Sequence, residues 1–246
     1  MMTDFHVVIP ARYQSSRLPG KLMMKIAELT VIERVYRQAV LAKPKSIVIA
    51  TDHDDIATHA EAFGAKVVMT SIDHQSGTDR IAEVIQNGEY REDDIIVNVQ
   101  GDEPFIAPEL IRQVADSLAQ AKAPMATLCW PLGDLEQLYN PNVVKVVRNQ
   151  FNNALYFSRS PVPAHRDDRE SLRMVYKHIG LYAYRAAFLL QLTAWPPCEL
   201  EQLEALEQLR VLWAGYSIRV DEACVKPLQD INTADDLQLA RESLTA

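Results

Sequence analysis

The chain has 246 residues, of which 48% are hydrophobic and 24% charged. That usage belongs to a folded protein with a well-buried core and excludes disordered, fibrous and small disulfide-stapled chains. Lys plus Arg number 25 against 33 Asp plus Glu, a formal charge of −8. A broad electrostatic footprint for nucleic acid or anionic membrane is therefore not expected, and any anionic ligand must be met locally.

Residues 5–10 are expected to form the first strand, preceded by neither the basic start nor the long apolar core of a signal peptide. No run approaches about 18 consecutive apolar residues, so a cytoplasmic protein without a membrane span is expected. Residues 46–51, 66–70, 94–99 and 125–130 are also Val- and Ile-rich runs bounded by turn or charged residues, and they predict further strands. Between them, Val31, Ile32, Val35, Tyr36, Ala39 and Val40 recur at helical spacing, as do Ile56, Ala57, Ala60 and Phe63, and Ile81, Val84 and Ile85. Strand-helix alternation of this kind predicts an α/β fold whose central sheet is mostly parallel, with helices on both faces.

The second half is less regular. Strands are expected at 143–147, 154–157 and 217–221, and helices at 203–213 and 233–244, while Pro161 and Pro163 forbid a helix across 160–169. No linker or repeat separates two domains, so one domain is expected over 1–246, with a nucleotide-binding half at 1–130 and an elaborated half at 131–246. Cys129, Cys198 and Cys224 are an odd number at wide spacing and read as buried, reduced thiols.

In open α/β sheets ligands bind beyond the carboxyl ends of the strands. The loop after the first strand is rich in cations. From residue 5 to residue 27 there are Arg12, Arg17, Lys21 and Lys25 and no acid, the charge pattern that a polyphosphate requires. Neither a P-loop nor a GxGxxG motif is present, since Lys21 is followed by Leu22 and the loop holds only Gly20. After the fourth expected strand comes Gln100-Gly101-Asp102-Glu103-Pro104. Asp102 suits a Mg²⁺ ion shared with substrate phosphates. Its local sequence fits a cap of the following helix about equally well.

Ile9-Pro10-Ala11-Arg12-Tyr13, Arg17-Leu18-Pro19-Gly20-Lys21, His74-Gln75-Ser76-Gly77-Thr78-Asp79-Arg80 and Asn98-Val99-Gln100-Gly101-Asp102-Glu103-Pro104 stand in order along the chain. Ala154 to Arg159, Lys177 to Tyr182 and Leu203 to Arg210 continue the series. Together they resemble the cytidylyltransferases that activate 3-deoxy-manno-octulosonate (Kdo) as CMP-Kdo for lipopolysaccharide, over essentially the whole chain.

The resemblance implies a nucleotide-diphospho-sugar transferase-like fold, CTP and Kdo as substrates, Mg²⁺ as cofactor and a homodimer paired through 140–147 and 160–163. It implies catalytic roles for Arg12, Lys21 and Asp102, and nucleotide contacts from Ala11, Arg12, Arg17, Lys21, Ser76, Gly77, Arg80 and Gln100. For the sugar acid it implies Gln100, Arg159, His178, Tyr182, Glu207 and Gln208. His178 reads equally as a satisfied core histidine, and Glu207 is expected to turn inward on the face of a helix with Leu203, Leu206 and Arg210.

Two departures stand out. Leu22 and Ala27-Glu28-Leu29 replace the family's usual Pro and Asn-Gly-Lys. The family's second metal carboxylate falls on Asn232, with Asp230 two residues before it as a substitute and a helix-capping role for Asn232 or Thr233 as the alternative. Three other readings stay open: an 8-amino-Kdo enzyme or an activator of another sugar acid such as sialic acid, because the sequence does not identify the side chains that meet the distal end of the sugar, and a non-catalytic nucleotide-binding paralogue, which the Asn232 departure keeps alive.

Overall fold

The computed structural model describes residues 3–13, 18–228, 231 and 233–243. Arg17, Asp230 and Asn232 lie outside the described residues. Every residue of β1 (His6–Ala11) is buried. Its side chains nevertheless go to two cores, Val7, Ile9 and Ala11 to one apolar cluster and Val8 to the other. A strand buried on both faces belongs inside a sheet with helices on each side.

The chain continues through a small hairpin of β2 (Lys25–Ile26) and β3 (Leu29–Thr30), then α1 (Val31–Leu41), β4 (Ser46–Thr51), α2 (Asp54–Ala62) and β5 (Lys66–Met69). α3 (Gly77–Asn87), β6 (Ile95–Asn98), α4 (Pro108–Gln120) and β7 (Met125–Pro131) complete the regular part. Then come α5 (Leu135–Tyr139), β8 (Lys145–Arg148), β9 (Ala154–Ser158), β10 (Tyr176–Arg185) and α6 (Ala186–Ala194), followed by α7 (Glu199–Glu204), α8 (Leu209–Trp213), β11 (Ile218–Glu222) and α9 (Ala234–Ser243).

The main path of the sheet runs β11-β7-β10-β6-β1-β4-β5. β1 is parallel to β4 and β6, β4 to β5, and β7 to β11, whereas β10 is antiparallel to both of its neighbours. α1, α2, α4 and α9 cover one face and α3, α6 and α8 the other. The mixed, mostly parallel α/β sheet expected from the sequence is thus present.

The sequence pattern of 176–185 predicts no strand, yet β10 lies inside the sheet, between β6 and β7, and carries the β8–β9 hairpin on its first residues. The second half of the chain therefore completes the sheet of the first. The helix expected over 203–213 is two short helices. Ala205 takes a left-handed conformation, φ 48°, while the Arg159 guanidinium draws off the carbonyls of Glu204 and Ala205, so α7 stops there. Thr233 caps α9 reciprocally with Asp236: Asp236 N–H donates to the Thr233 hydroxyl at 3.2 Å, and Thr233 N–H to the Asp236 carboxylate at 2.8 Å. Cys129 and Cys198 are buried and free; Cys224 is exposed, against expectation. Among the described residues no helix is long and apolar enough to cross a membrane.

Candidate active site

Three chain segments meet at Pro10, the penultimate residue of β1. The first residue of α3 is Gly77, where a Cβ would stand 3.2 Å from the Pro10 ring. At Gly101 a Cβ would come within 2.8 Å of the Pro10 carbonyl oxygen. Gly101 allows a close backbone approach that a side chain would block, and at Gly77 a Cβ would crowd the Pro10 ring. The approach at Gly101 carries the next residue, Asp102, to Lys21.

Lys21 begins a single 3₁₀ turn after Gly20, whose φ of 68° suits glycine. Its side chain is only 9% exposed, and Nζ donates to Asp102 Oδ2 at 2.7 Å and to the Ile231 carbonyl at 2.9 Å. Among the described residues that spends two of three ammonium donors and leaves one for a ligand. Asp102 does not cap α4, which begins six residues later with Ala107 at its N-cap. Its side chain is 31% exposed, so a carboxylate oxygen remains for a hard cation. No cluster of three or more His, Cys, Asp or Glu that could hold a metal exists among the described residues. One carboxylate plus substrate phosphates is a donor set that fits Mg²⁺, which seldom takes an all-protein cage.

Arg12 is exposed and donates from Nη1 to the Gln75 carbonyl at 3.1 Å, tying the β1 loop to the turn before α3. Tyr13 stacks on His53 with ring centroids 3.8 Å apart. Ala11 is buried at the end of β1. The Ser76 hydroxyl, expected near the nucleotide, is occupied as the N-cap of α3, accepting from Asp79 N–H at 3.0 Å. Arg80 is fully buried beneath that loop, bonded to Thr70, to the Ser71 carbonyl and, at 2.6 Å, to Asp52. It braces the loops after β4 and β5 from behind.

Beside Gly77 opens a cavity of about 190 Å³, lined by Gly77, Thr78, Asn98, Gln100, Tyr182, Tyr184, Glu207 and Gln208 with Met125 and Leu192. The volume is below the roughly 300–1,000 Å³ of whole-ligand pockets, so it suits one ring of a composite substrate pair. Four of the residues expected at the sugar converge here: Gln100, Tyr182, Glu207 and Gln208. Glu207 arrives on the turn between α7 and α8 rather than on a helix face, and Thr78 donates its hydroxyl to Oε1. Burial raises the Glu207 carboxyl above its usual range, opposed by the Thr78 bond and by Arg210. Burial likewise raises the phenols of Tyr182 and Tyr184.

Asn98, Thr78 and Tyr184 are cavity residues that sequence reasoning missed. A polar Asn ending a buried strand, and a second tyrosine two residues from Tyr182 on one strand face, are the signals that mark them.

His178 packs between the rings of Phe157 and Tyr182, and desolvation pushes its pKa down to about 3. Its Nε2 is 3.0 Å from the Thr127 hydroxyl, which itself donates toward the carbonyls of Ile179 and Leu181. The hydroxyl therefore accepts from Nε2–H, and the neutral ring keeps Nδ1 as an acceptor. The unfolded histidine binds a proton near 6.5 and the folded one only near 3, so stability falls as pH drops through that window. His178→Gln should flatten this slope, which melting temperatures between about pH 7 and about pH 4 will measure.

Arg159 does not line the cavity. Its Nη1 donates to the Pro141 carbonyl at 2.8 Å, and its backbone N–H to Glu204 Oε2 at 2.9 Å. A larger cleft of about 360 Å³ between α4 and β11, lined by Glu109, Arg112, Asp116, Arg219 and Asp221 among others, contains none of the expected site residues.

The cytidylyltransferase family pattern matches residues 6–220. A 3-deoxy-manno-octulosonate cytidylyltransferase of Legionella pneumophila strain Philadelphia 1 is 66% identical over 242 residues, 98% of this chain and 97% of its own. The chain belongs to this family. The enzyme of that name from Pasteurella multocida is 48% identical, with 99% of each chain covered. A solved structure of CMP:2-keto-3-deoxy-manno-octonic acid synthetase complexed with CTP superposes with a TM-score of 0.91 at 39% identity, again over 99% of each chain. A 4-diphosphocytidyl-2C-methyl-D-erythritol synthase from Anaerococcus prevotii, at 13% identity and a TM-score of 0.66, shares the fold alone.

Proposed function

We propose that the protein transfers CMP from CTP to Kdo in the cytoplasm, releasing pyrophosphate and giving CMP-Kdo for lipopolysaccharide. The observation that carries this reading is the meeting of three segments at Pro10, which sets the Lys21–Asp102 pair beside a polar, ring-sized cavity. The names and coverage of the relatives support the same substrates.

In this reaction the anomeric hydroxyl of the sugar acid forms a bond to the α-phosphorus, its proton is released, and the bond to the β-phosphate oxygen breaks. Negative charge gathers on the α-phosphoryl oxygens and on departing pyrophosphate, so fixed cations matter more than a covalent nucleophile. Lys21, held on two sides, offers its third donor to a phosphate oxygen without reorganising. Arg12 at the rim of the same loop adds a second cation. Asp102 would hold Mg²⁺, which supplies charge neutralisation on the phosphates. Gln100, Tyr182, Glu207 and Gln208 receive the hydroxyls of the sugar in the cavity, Arg159, outside that lining, takes its carboxylate where the sugar extends beyond the cavity, and His178 serves the sugar through the Tyr182 ring it packs against.

Pyrophosphate release with CTP and Mg²⁺, compared across Kdo, 8-amino-Kdo and sialic acid, tests the reading, with turnover expected on Kdo. No release with Kdo, or faster release with either alternative acid, overturns it.

A homodimer paired through 140–147 and 160–163 belongs to the same reading. Lys145 and Val146 are buried in the protein's own interior, while Pro141, Asn142, Ser160 and Pro161 are exposed, and Phe151 and Leu155 add exposed apolar surface next to them in the sequence. Light scattering at micromolar concentration should give twice the chain mass; a single-chain mass rejects the dimer.

A further inference from the structure

Lys145 lies on β8 opposite Ser158 of β9, and its side chain is fully buried. Nζ donates to the carbonyls of Asn140 at 3.1 Å, Val143 at 2.6 Å and Arg159 at 2.7 Å. All three ammonium donors are spent on neutral acceptors, and among the described residues no carboxylate forms an ion pair with it. Desolvation and the neighbouring Arg159 charge lower its pKa, with Glu204 opposing. A buried cation without a counter-ion is costly, and an apolar side chain of that length would fill the space without the penalty. What the cation adds is a clasp. It joins the 140–143 turn to the backbone of Arg159.

Arg159 is clasped from the other side as well. One carboxylate oxygen of Glu204 accepts from the Ser158 hydroxyl at 2.8 Å and the other from the Arg159 backbone N–H at 2.9 Å. The carbonyls of Glu204 and Ala205 accept from Nε at 2.5 Å and Nη2 at 3.2 Å. The Pro141 carbonyl, within the turn that Lys145 holds, accepts from Nη1.

Of five guanidinium N–H donors these contacts spend three among the described residues, leaving one on each terminal nitrogen. Two donors are what a carboxylate takes from an arginine in bidentate pairing. Among the described residues every acceptor on the guanidinium is a neutral carbonyl, so the group is fixed without an ion pair of its own. Arg80 and Arg210 differ, being neutralised by Asp52 and Glu201 at 2.6 and 2.5 Å.

We propose that Lys145 and Glu204 are positioning residues that fix Arg159 as a rigid two-donor fork for the carboxylate of the sugar acid. The proposal rests on the reading of Arg159 as the group that takes that carboxylate. Lys145 holds the fork at its backbone and through the 140–143 turn. Glu204 holds the backbone N–H with its carboxylate and orients Nε with its carbonyl, so its side chain can be altered while the guanidinium contacts remain available.

Steady-state kinetics of Arg159→Ala, Lys145→Met, Glu204→Gln and the double variant Lys145→Met/Arg159→Ala test it. Lys145→Met should raise KM for Kdo about tenfold while KM for CTP stays within about twofold, and Arg159→Ala should raise KM for Kdo further. The double variant should be no worse than Arg159→Ala alone, because Lys145 acts through the group already removed. Glu204→Gln, which keeps an acceptor oxygen, should give a smaller rise confined to Kdo. It decides the matter alone if Lys145→Met does not fold.

If Arg159→Ala leaves KM for Kdo unchanged, the carboxylate reading of Arg159 fails and the proposal with it. If Arg159→Ala raises it but the folded positioning variants do not, the proposal alone fails. It also fails if they raise KM for both substrates equally, or if the double variant shows the full product of the single effects.

Discussion

Asp102→Asn should lower turnover about a thousandfold, the upper end of what loss of one electrostatic contact to a reacting group costs. The fold should survive, because the amide oxygen still accepts from Lys21 Nζ and the position is partly exposed. What disappears is the anionic oxygen that would hold Mg²⁺ against the triphosphate. The Mg²⁺ concentration for half-maximal rate should therefore rise, while metal-free CTP should bind more tightly once a negative charge is gone from the site. Titrations of rate against Mg²⁺ and of CTP binding with chelator present separate these effects. A variant within about tenfold of the parent rate, with an unchanged Mg²⁺ titration, would reduce Asp102 to a counter-ion for Lys21.

The fold was legible where local pattern and tertiary environment agree. β1, β4 and the helices around them carry their periodicity in the sequence because each is packed by apolar neighbours on known faces. β10 was not legible. Lys177, His178, Gly180 and Tyr182 interrupt its apolar run because this strand borders the site as well as the core, and its register shifts between Ile179 and Tyr182. Its place between β6 and β7 is set by long-range pairing that no local window contains.

The candidate site divides in the same way. Lys21 and Asp102 could be named from charge and strand-end position, and they are joined in the structure. Glu207 was expected to point inward, but for a helical reason that the break at Ala205 removes. Lys145 and Glu204 carried no signal, since a lysine in a strand and a glutamate in a helix ordinarily face solvent, and only their carbonyl and backbone partners reveal otherwise.

Lys21→Met should lower turnover by at least about 100-fold and weaken CTP binding, for a reason that differs from the Asp102 case. Methionine keeps the length and apolar body of the buried stem, so packing beneath the 3₁₀ turn is preserved. The lost charge has two consequences. A phosphate oxygen loses its preorganised cation, and Asp102 becomes an uncompensated anion beside an incoming triphosphate. Two unit charges 4 Å apart at an effective dielectric near 20 interact by about 4 kcal/mol before desolvation, enough that the second effect alone would disfavour nucleotide binding.

The double variant Lys21→Met/Asp102→Asn separates the two. Removing the carboxylate should restore part of the CTP affinity lost in Lys21→Met, since the repulsion goes with it, but none of the turnover. Calorimetric CTP binding and pyrophosphate release on both variants measure the split. Near-parent turnover in Lys21→Met, with CTP affinity unchanged, would mean that the cation serves only to hold Asp102 and the backbone of Ile231 in place.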